Sequence, residues 1–209
     1  MKGLLLEGIA VAGKSAIIRA LREHPSWRRR RSTLVLSDFF TERANDHLRS
    51  LTAESYRTLM QRNLRILQAA KQIESGSPLF DSEDRRDLCY VLEGFHLTNA
   101  LVHTDVGTDV YADIDTELER LDCQLALIVV DEKLIGVRTI EEYRRRDERW
   151  RAAQDRLESR VGDLAVYYAK LQDAYLKALQ TTVMKNITVN ATDQDWQRCA
   201  EEIIEFWRI

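Results

Sequence analysis

The fold of this chain is decided by the segment Gly8-Ile9-Ala10-Val11-Ala12-Gly13-Lys14-Ser15. It fits G-x-x-x-x-G-K-[S/T], the pattern of a phosphate-binding loop, or P-loop. An apolar run, Leu4–Leu6, precedes it, and a helical pattern begins directly after it. Such a loop must connect a strand to the N-terminus of a helix, because the N–H groups of the loop and the helix dipole must point at one phosphate. The segment therefore predicts a P-loop between the first strand and the first helix.

Within this loop the pattern assigns separate roles to neighbouring side chains. Lys14 is expected to reach the outer phosphates of a nucleotide, and the Ser15 hydroxyl is expected to hold Mg²⁺. The residues predicted to contact the nucleotide around the loop are Gly8, Ala10, Val11, Ala12, Gly13, Lys14, Ser15 and Ala16.

Composition narrows the classes of protein. The chain has 209 residues and a net charge of −3, with a pI near 5.9, which argues against a general nucleic-acid-binding protein. Glu7 ends the first apolar run too early for a signal peptide, and no run approaches the length of a membrane span. We therefore expect a soluble, cytoplasmic protein with neither nucleic acid nor membrane as partner.

The three cysteines, Cys89, Cys123 and Cys199, lie far apart in the sequence and form no C-x-x-C pair. This spacing favours neither disulfides nor a zinc site, and it fits a reducing compartment.

Short apolar runs alternate with helical patterns along the chain, which is typical of a parallel α/β sheet. The spacing leaves no room for a linker or a repeat, so we predict one domain over residues 1–209, with five parallel strands between layers of helices. The predicted strands are Leu4–Glu7, Thr33–Ser37, Leu88–Gly94, Leu125–Asp131 and Ile187–Asn190. The predicted helices are Lys14–Glu23, a long one from Tyr56 to Ile73, a short one opened by a capping box at Thr116–Glu119, Leu164–Leu179 and Trp196–Trp207.

The chain also carries Leu6-Glu7-Gly8-Ile9 followed by Gly13-Lys14-Ser15. This pair of segments resembles the first strand and P-loop of the P-loop nucleoside and nucleotide kinases, thymidylate kinases in particular. The strand order along the chain, the late arginine-rich segment and the terminal helix are similar too. The resemblance implies a three-layer P-loop kinase sandwich with an arginine-rich helical lid at about residues 136–160. The chain departs from thymidylate kinases at Ala10, where that family usually has an acidic residue.

A second resemblance concerns the ends of two other strands. Ser37-Asp38-Phe39-Phe40 is similar to a motif after the second strand of uridine kinases and nicotinamide riboside kinases, and Leu92-Glu93-Gly94-Phe95 is similar to the turn after their third strand. Those families phosphorylate a sugar hydroxyl. The two resemblances agree on a kinase and differ in its acceptor.

Two carboxylates follow strands near the predicted P-loop. Because ligands of open α/β sheets bind at the carboxyl ends of the strands, Asp38 and Glu93 are candidates for the general base and for Mg²⁺ ligands. The alternative for Asp38 is a helix cap or turn, and for Glu93 an ordinary charged strand end. Asp131, at the end of the fourth strand, is explained equally well by a surface turn.

Arginines are dense between Arg138 and Arg160. Phosphoryl transfer needs positive charge around the transferred group, and arginine binds phosphate oxygens with a planar fork of donors. The resemblance points to Arg144, Arg146 and Arg149 as catalytic. The alternative is a solvated helix of mixed charge, because acidic residues are interleaved with the arginines.

Other side chains are weaker candidates. By resemblance, Asn190 and Thr192 border the adenine of the nucleotide. The aromatic residues that could stack an acceptor ring, or else belong to the core, are Phe39, Phe40, Tyr56, Phe95 and His96, and His103 is a further polar candidate.

Together these patterns predict an ATP- and Mg²⁺-dependent phosphotransferase that acts on a small molecule, a nucleoside or nucleoside monophosphate. The alternatives are a kinase of another hydroxyl acceptor, such as a nicotinamide riboside-like molecule or an antibiotic, and a nucleotide-binding module without turnover. A small GTPase is disfavoured, since the chain has no Asn-Lys-x-Asp motif. A homodimer is compatible with the sequence, which does not specify the oligomeric state.

Overall fold

A computed structural model describes residues 1–29, 33–37, 52–76, 88–104 and 107–209. In this part of the chain the sheet has five parallel strands, which are β1 (Lys2–Glu7), β2 (Thr33–Ser37), β3 (Cys89–Glu93), β4 (Cys123–Val129) and β5 (Asn186–Asn190). Their order across the sheet is β2-β3-β1-β4-β5. The predicted α/β fold with a five-stranded parallel sheet is confirmed.

Nine α-helical segments occur in the described part of the chain. A π-helical turn, Asn99–Thr104, extends the short helix His96–Thr98, and a 3₁₀ turn, Thr108–Tyr111, leads into the helix Ala112–Arg120. None of these described helices combines the length and the apolar character needed to cross a membrane. They are α1 (Lys14–Glu23), α2 (Pro25–Arg28), α3 (Ala53–Gly76), α4 (His96–Thr98), α5 (Ala112–Arg120), α6 (Glu132–Arg145), α7 (Glu148–Val161), α8 (Leu164–Leu179) and α9 (Trp196–Trp207).

The central strand β1 owes its position to its sequence. Leu4, Leu5 and Leu6 are apolar on both faces of the strand and fully buried, as a parallel strand covered by helices on both sides requires. Leu6 pairs with Glu93 of β3, and Glu7 pairs with Leu127 of β4. The carboxyl ends of the three central strands therefore meet at the edge of the sheet where the P-loop begins.

The helices cover both faces of this sheet. α1 packs against α9, whereas α3 packs against α5, and α8 packs against β4. Because crossovers between parallel strands are right-handed, the connection through α1 lies on one face and those through α3, α5 and α8 lie on the other.

Four helices begin at an aspartate that caps them. The Asp131 carboxylate accepts a hydrogen bond from the Lys133 amide at the start of α6. Such a cap stabilises a helix by about 1 kcal/mol. Asp131 is therefore the N-cap of α6, in keeping with the turn interpretation. The corresponding caps of α7, α8 and α9 are Asp147, Asp163 and Asp195.

The predicted start of α5 and both predicted ends of β4 were wrong. The proposed capping box at Thr116 lies inside α5, where the Thr116 hydroxyl donates to the Ala112 carbonyl one turn earlier. α5 begins sooner because the preceding 3₁₀ turn runs into it. The fourth strand also begins earlier, with Cys123 opposite Gly3, and it ends at Val129.

A buried carboxylate joins three of these elements. Glu7, at the end of β1, is fully buried. It accepts hydrogen bonds from the Phe95 amide at 2.9 Å, the Thr98 amide at 3.4 Å and the Thr98 hydroxyl at 2.5 Å. The same hydroxyl lies 2.8 Å from the Tyr175 hydroxyl on α8. Glu7 therefore ties the strand before the P-loop to the segment that follows Glu93.

We expect Glu7→Ala to lower the free energy of unfolding by about 3 kcal/mol, because it removes the carboxylate that accepts from the buried Phe95 and Thr98 amides and from the Thr98 hydroxyl. Denaturant unfolding followed by circular dichroism measures this change. The matched control is Glu141→Ala, which removes an exposed glutamate from α6 and is expected to change stability by less than about 0.5 kcal/mol. Equal stability of the two variants would contradict a structural role for Glu7.

Candidate functional site

The P-loop runs from the end of β1 into α1 and needs glycine at two positions. Gly8 has a φ of +140°, and a Cβ there would lie 2.5 Å from the Ile128 carbonyl oxygen of β4. Gly13 has a φ of +91°, and a Cβ there would lie 2.5 Å from the indole ring of Trp196. The loop is thus pressed between β4 and the first residue of α9.

Lys14 folds back over this loop. Its ammonium group donates to the carbonyl oxygens of Gly8 at 2.7 Å and Ile9 at 3.1 Å. The charge is therefore held over the loop, where the sequence pattern predicts that phosphates bind.

Ser15 and Glu93 meet although they are 78 residues apart. The Ser15 hydroxyl, in the first turn of α1, donates to Glu93 Oε1 at 2.8 Å. Glu93 reaches it because β3 pairs with β1 and ends beside the loop. Hydroxyl and carboxylate oxygens are ligands that Mg²⁺ prefers, so this pair fits a magnesium ion.

A cleft of about 330 Å³ opens over the loop. Its lining contains four cationic side chains and two carboxylates, which suits a ligand that carries several negative charges. The lining residues are Ala10, Gly13, Lys14, Ser15, Ala16, Arg19, Glu93, Glu142, Arg145, Arg146 and Trp196.

The three arginines predicted to be catalytic lie in different places. Arg146 lines the cleft, and its Nε atom donates to Glu142 Oε2 at 2.9 Å. Arg144 instead lines a separate groove beside α6, α7 and α8. Arg149 is exposed near the start of α7.

The segment after β5 is held by Arg138. This guanidinium is buried and donates to the carbonyl oxygens of Ala191 at 2.7 Å and Thr192 at 3.0 Å. It also lies 5.7 Å from the centre of the Trp196 ring. Burial lowers the pKa of Arg138, and the negative charges of Glu141, Glu142 and Asp193 oppose that shift. Arg138 therefore connects α6 to the tryptophan that lies against Gly13.

The side chains of Asn190 and Thr192, in the same segment, accept hydrogen bonds from backbone amides. Asn190 Oδ1 accepts from the Thr192 amide at 2.9 Å, and the Thr192 hydroxyl accepts from the Asp131 amide at 2.8 Å. Neither residue lines the P-loop cleft among the residues that the structure describes.

The other candidates divide between the core and the undescribed residues. Asp38, Phe39 and Phe40 lie outside the described residues, so their predicted roles stay predictions. Phe95 and His96 are buried. His96 Nε2 lies 3.1 Å from Asp115 Oδ1. Tyr56 stacks on His103 with ring centres 5.2 Å apart, and burial lowers the pKa of His103.

The sequence analysis missed Arg19, Glu142 and Trp196, and it included Arg138 only as the first arginine of the arginine-rich segment. Arg19 follows Ser15 by one helical turn, and Glu142 precedes Arg146 by one turn, so helical spacing was an available signal for both. Trp196 carried no local signal, and nothing local distinguished Arg138 from the other arginines, because their contacts join α9, α6 and the P-loop across the fold.

No protein-family model matches the sequence, and no curated protein matches it either. Solved structures do match. The YorR protein from Bacillus subtilis, solved in complex with phosphorylated GDP, is 12% identical, covers 99% of this chain and 96% of its own, and superposes with a TM-score of 0.56. Thymidylate kinase from Ehrlichia chaffeensis is 10% identical over 100% and 98% of the two chains, with a TM-score of 0.45.

Deoxyadenosine kinase from M. mycoides, with dCMP and dCDP bound, is 15% identical over 97% of each chain, with a TM-score of 0.42. A kinase of a nucleotide and a kinase of a nucleoside are thus among the solved structures that this chain is similar to, as the sequence analysis predicted. At these identities the likeness to YorR shows the fold alone.

Gly13→Ala is expected to weaken MgATP binding about a hundredfold. The added methyl group needs a disfavoured backbone conformation, at about 1–2 kcal/mol, and also collides with the Trp196 ring. Calorimetric titration measures the change. The matched control is Gly162→Ala, where φ is +80° but nothing lies within 4 Å of the new Cβ. That variant is expected to lose stability but keep its affinity for MgATP, and an equal loss of affinity in both variants would contradict the loop assignment.

Proposed function

We propose that this chain is an ATP- and Mg²⁺-dependent kinase that phosphorylates a nucleoside or a nucleoside monophosphate. One observation carries the proposal: Lys14, the Ser15–Glu93 pair and Arg146 line one cleft at the carboxyl end of the sheet. Phosphoryl transfer needs a phosphate cradle, a metal site, an acceptor-activating group and a cation at the transferred group. The P-loop is the cradle and Arg146 is the cation, and Glu93 is the carboxylate that either binds the metal with Ser15 or activates the acceptor.

The P-loop is the natural cradle for the phosphates of ATP. Its N–H groups and the start of α1 attract the phosphate oxygens, and Lys14 exchanges its bonds to the Gly8 and Ile9 carbonyls for bonds to the outer phosphates. Ser15 and Glu93 would hold Mg²⁺, which would supply neutralisation of charge on the phosphates.

The role of Glu93 depends on the acceptor. With a hydroxyl acceptor, the Glu93 carboxylate takes the proton as the acceptor oxygen bonds to the γ-phosphorus and the bond from that phosphorus to ADP breaks. With a monophosphate acceptor, the attacking oxygen already carries negative charge, and Glu93 serves the metal. In both cases Arg146 stabilises the charge on the transferred group.

A lid over the cleft and a binding site for the adenine ring complete the proposal. We assign α6 and α7, at about residues 136–160, to a lid that excludes water from the cleft. We place the adenine beside Asn190 and Thr192, near the indole ring of Trp196. The similar fold of YorR was solved with a phosphorylated purine nucleotide, which supports a nucleotide in this chain too.

The test is ADP release from MgATP across a panel of acceptors, with Lys14→Ala as the control. The panel holds nucleosides, deoxynucleosides, their monophosphates, nicotinamide riboside and an aminoglycoside. Stimulation by a nucleoside or its monophosphate supports the proposal. Stimulation by the aminoglycoside or nicotinamide riboside would mean that the kinase acts on another class of acceptor. MgATP binding without stimulation by any compound would favour a nucleotide-binding module without turnover.

A further inference from the structure

Glu142 lies between two arginines at the wall of the P-loop cleft. One of its carboxylate oxygens pairs with Arg145 and the other accepts from Arg146 Nε at 2.9 Å. The Glu142 side chain is only 15% exposed, and it lines the same cleft as Lys14. A carboxylate in this position repels a bound triphosphate, because like charges that face each other are unfavourable. Its presence therefore needs a physical reason other than attraction for the ligand.

The reason lies in the way Arg146 is held. Arg146 directly follows the last residue of α6, with an extended backbone. Glu142 holds its Nε edge, and the Trp150 ring lies 5.7 Å from its guanidinium carbon. Among the described residues, the two terminal Nη groups of Arg146 have no hydrogen-bond partner. The side chain is thus fixed by its inner nitrogen, and its outer fork is left for a ligand.

Fixing an arginine in advance has a known benefit. A free arginine side chain samples many rotamers, and this conformational freedom is lost when the side chain binds. Holding the side chain in its bound arrangement removes most of that cost from ligand binding.

We propose that Glu142 is a positioning residue, which holds Arg146 with its Nη groups available to the phosphates of ATP in the P-loop cleft. This inference rests on the proposed function. Arg145 pairs with the second oxygen of Glu142, so that the carboxylate charge is compensated from both sides.

A positioning role and a purely electrostatic role of Glu142 predict opposite changes in the affinity for MgATP when Glu142 is replaced by glutamine. If Glu142 acted only through its charge, Glu142→Gln would remove a repulsion and strengthen MgATP binding. If Glu142 positions Arg146, the same variant weakens binding, because a neutral amide oxygen holds the guanidinium less strongly than a carboxylate does. Glu142→Asp separates charge from reach, since it keeps the charge but withdraws the carboxylate by one methylene group.

The experiment is calorimetric titration of MgATP into wild type, Glu142→Gln, Glu142→Asp, Arg146→Lys and the double variant Glu142→Gln/Arg146→Lys. We expect both Glu142 variants and Arg146→Lys to bind about fivefold to tenfold more weakly, and the double variant to bind no more weakly than Arg146→Lys alone, because coupled residues are not additive. The matched control is Glu141→Gln, which makes the same charge change at an exposed position on the same helix and is expected to bind like wild type.

Tighter or unchanged binding by Glu142→Gln, or losses that multiply in the double variant, would overturn the positioning role while leaving the proposed function intact. Failure of the wild type to bind MgATP would instead overturn the proposed function, and this inference with it. The thermal unfolding midpoint of each variant confirms that the compared proteins are folded.

Discussion

Lys14→Ala is expected to lower kcat/KM for phosphoryl transfer about a thousandfold, since one preorganised donor to developing charge contributes 10²–10³ in rate. The structure explains why a single side chain has this weight. Its ammonium group already lies over the loop, hydrogen-bonded to the Gly8 and Ile9 carbonyls. The alanine side chain has no donor that could take its place. ADP release with the best acceptor of the panel measures the loss.

The same substitution should leave the fold intact, because the two hydrogen bonds that the Lys14 side chain donates go to carbonyl oxygens of its own loop and do not join separate elements. Circular dichroism and the thermal midpoint test this expectation. Arg22→Ala is the matched control: it removes an exposed cation from the same helix and is expected to retain wild-type turnover. A folded Lys14→Ala protein with near-wild-type turnover would rule out the P-loop assignment.

Glu93→Gln is expected to lower kcat by about a hundredfold or more, the range for removal of a general base. The substitution conserves shape and leaves an oxygen that can still accept from Ser15, so the change is one of charge. Steady-state rates measured against Mg²⁺ concentration test this prediction and also separate the two roles of Glu93.

If Glu93 holds the metal, the variant needs more Mg²⁺ for half-maximal activity, with either class of acceptor. If Glu93 is the base, the Mg²⁺ requirement is unchanged and the loss is confined to hydroxyl acceptors. Glu141→Gln again serves as the control, and a kcat equal to that of wild type in the Glu93 variant would remove Glu93 from the chemistry.

Much of the fold could be predicted because its signals are local. The P-loop pattern, the apolar strands and the helical stripes are each written within a few consecutive residues, and the five strands occur where those patterns lie. The errors at Thr116 and at the ends of β4 have a common cause. Helix and strand ends depend on the neighbours that they pack and pair with, such as Gly3 opposite Cys123, and these are not adjacent in sequence.

The candidate site divides in the same way. Lys14 and Ser15 are defined by the motif that contains them, and Glu93 by its position at the end of a strand. The arginine-rich segment predicted that an arginine side chain would lie in the site, but it did not identify which arginine. Arg146 enters the cleft and Arg144 faces another groove, because α6 ends between them and the chain changes direction there.

By itself, then, the sequence determined the phosphate-binding loop, the class of fold and the carboxyl edge of the sheet as the place of the site. The tertiary structure alone decided that Trp196 closes over Gly13, that Arg138 supports the segment after β5, and that Glu142 holds Arg146 at the cleft. The physical reason is the separation in sequence between the residues that interact. Backbone conformation and strand burial depend on neighbouring residues, whereas the distances between charged groups on separate helices exist only once those helices have packed.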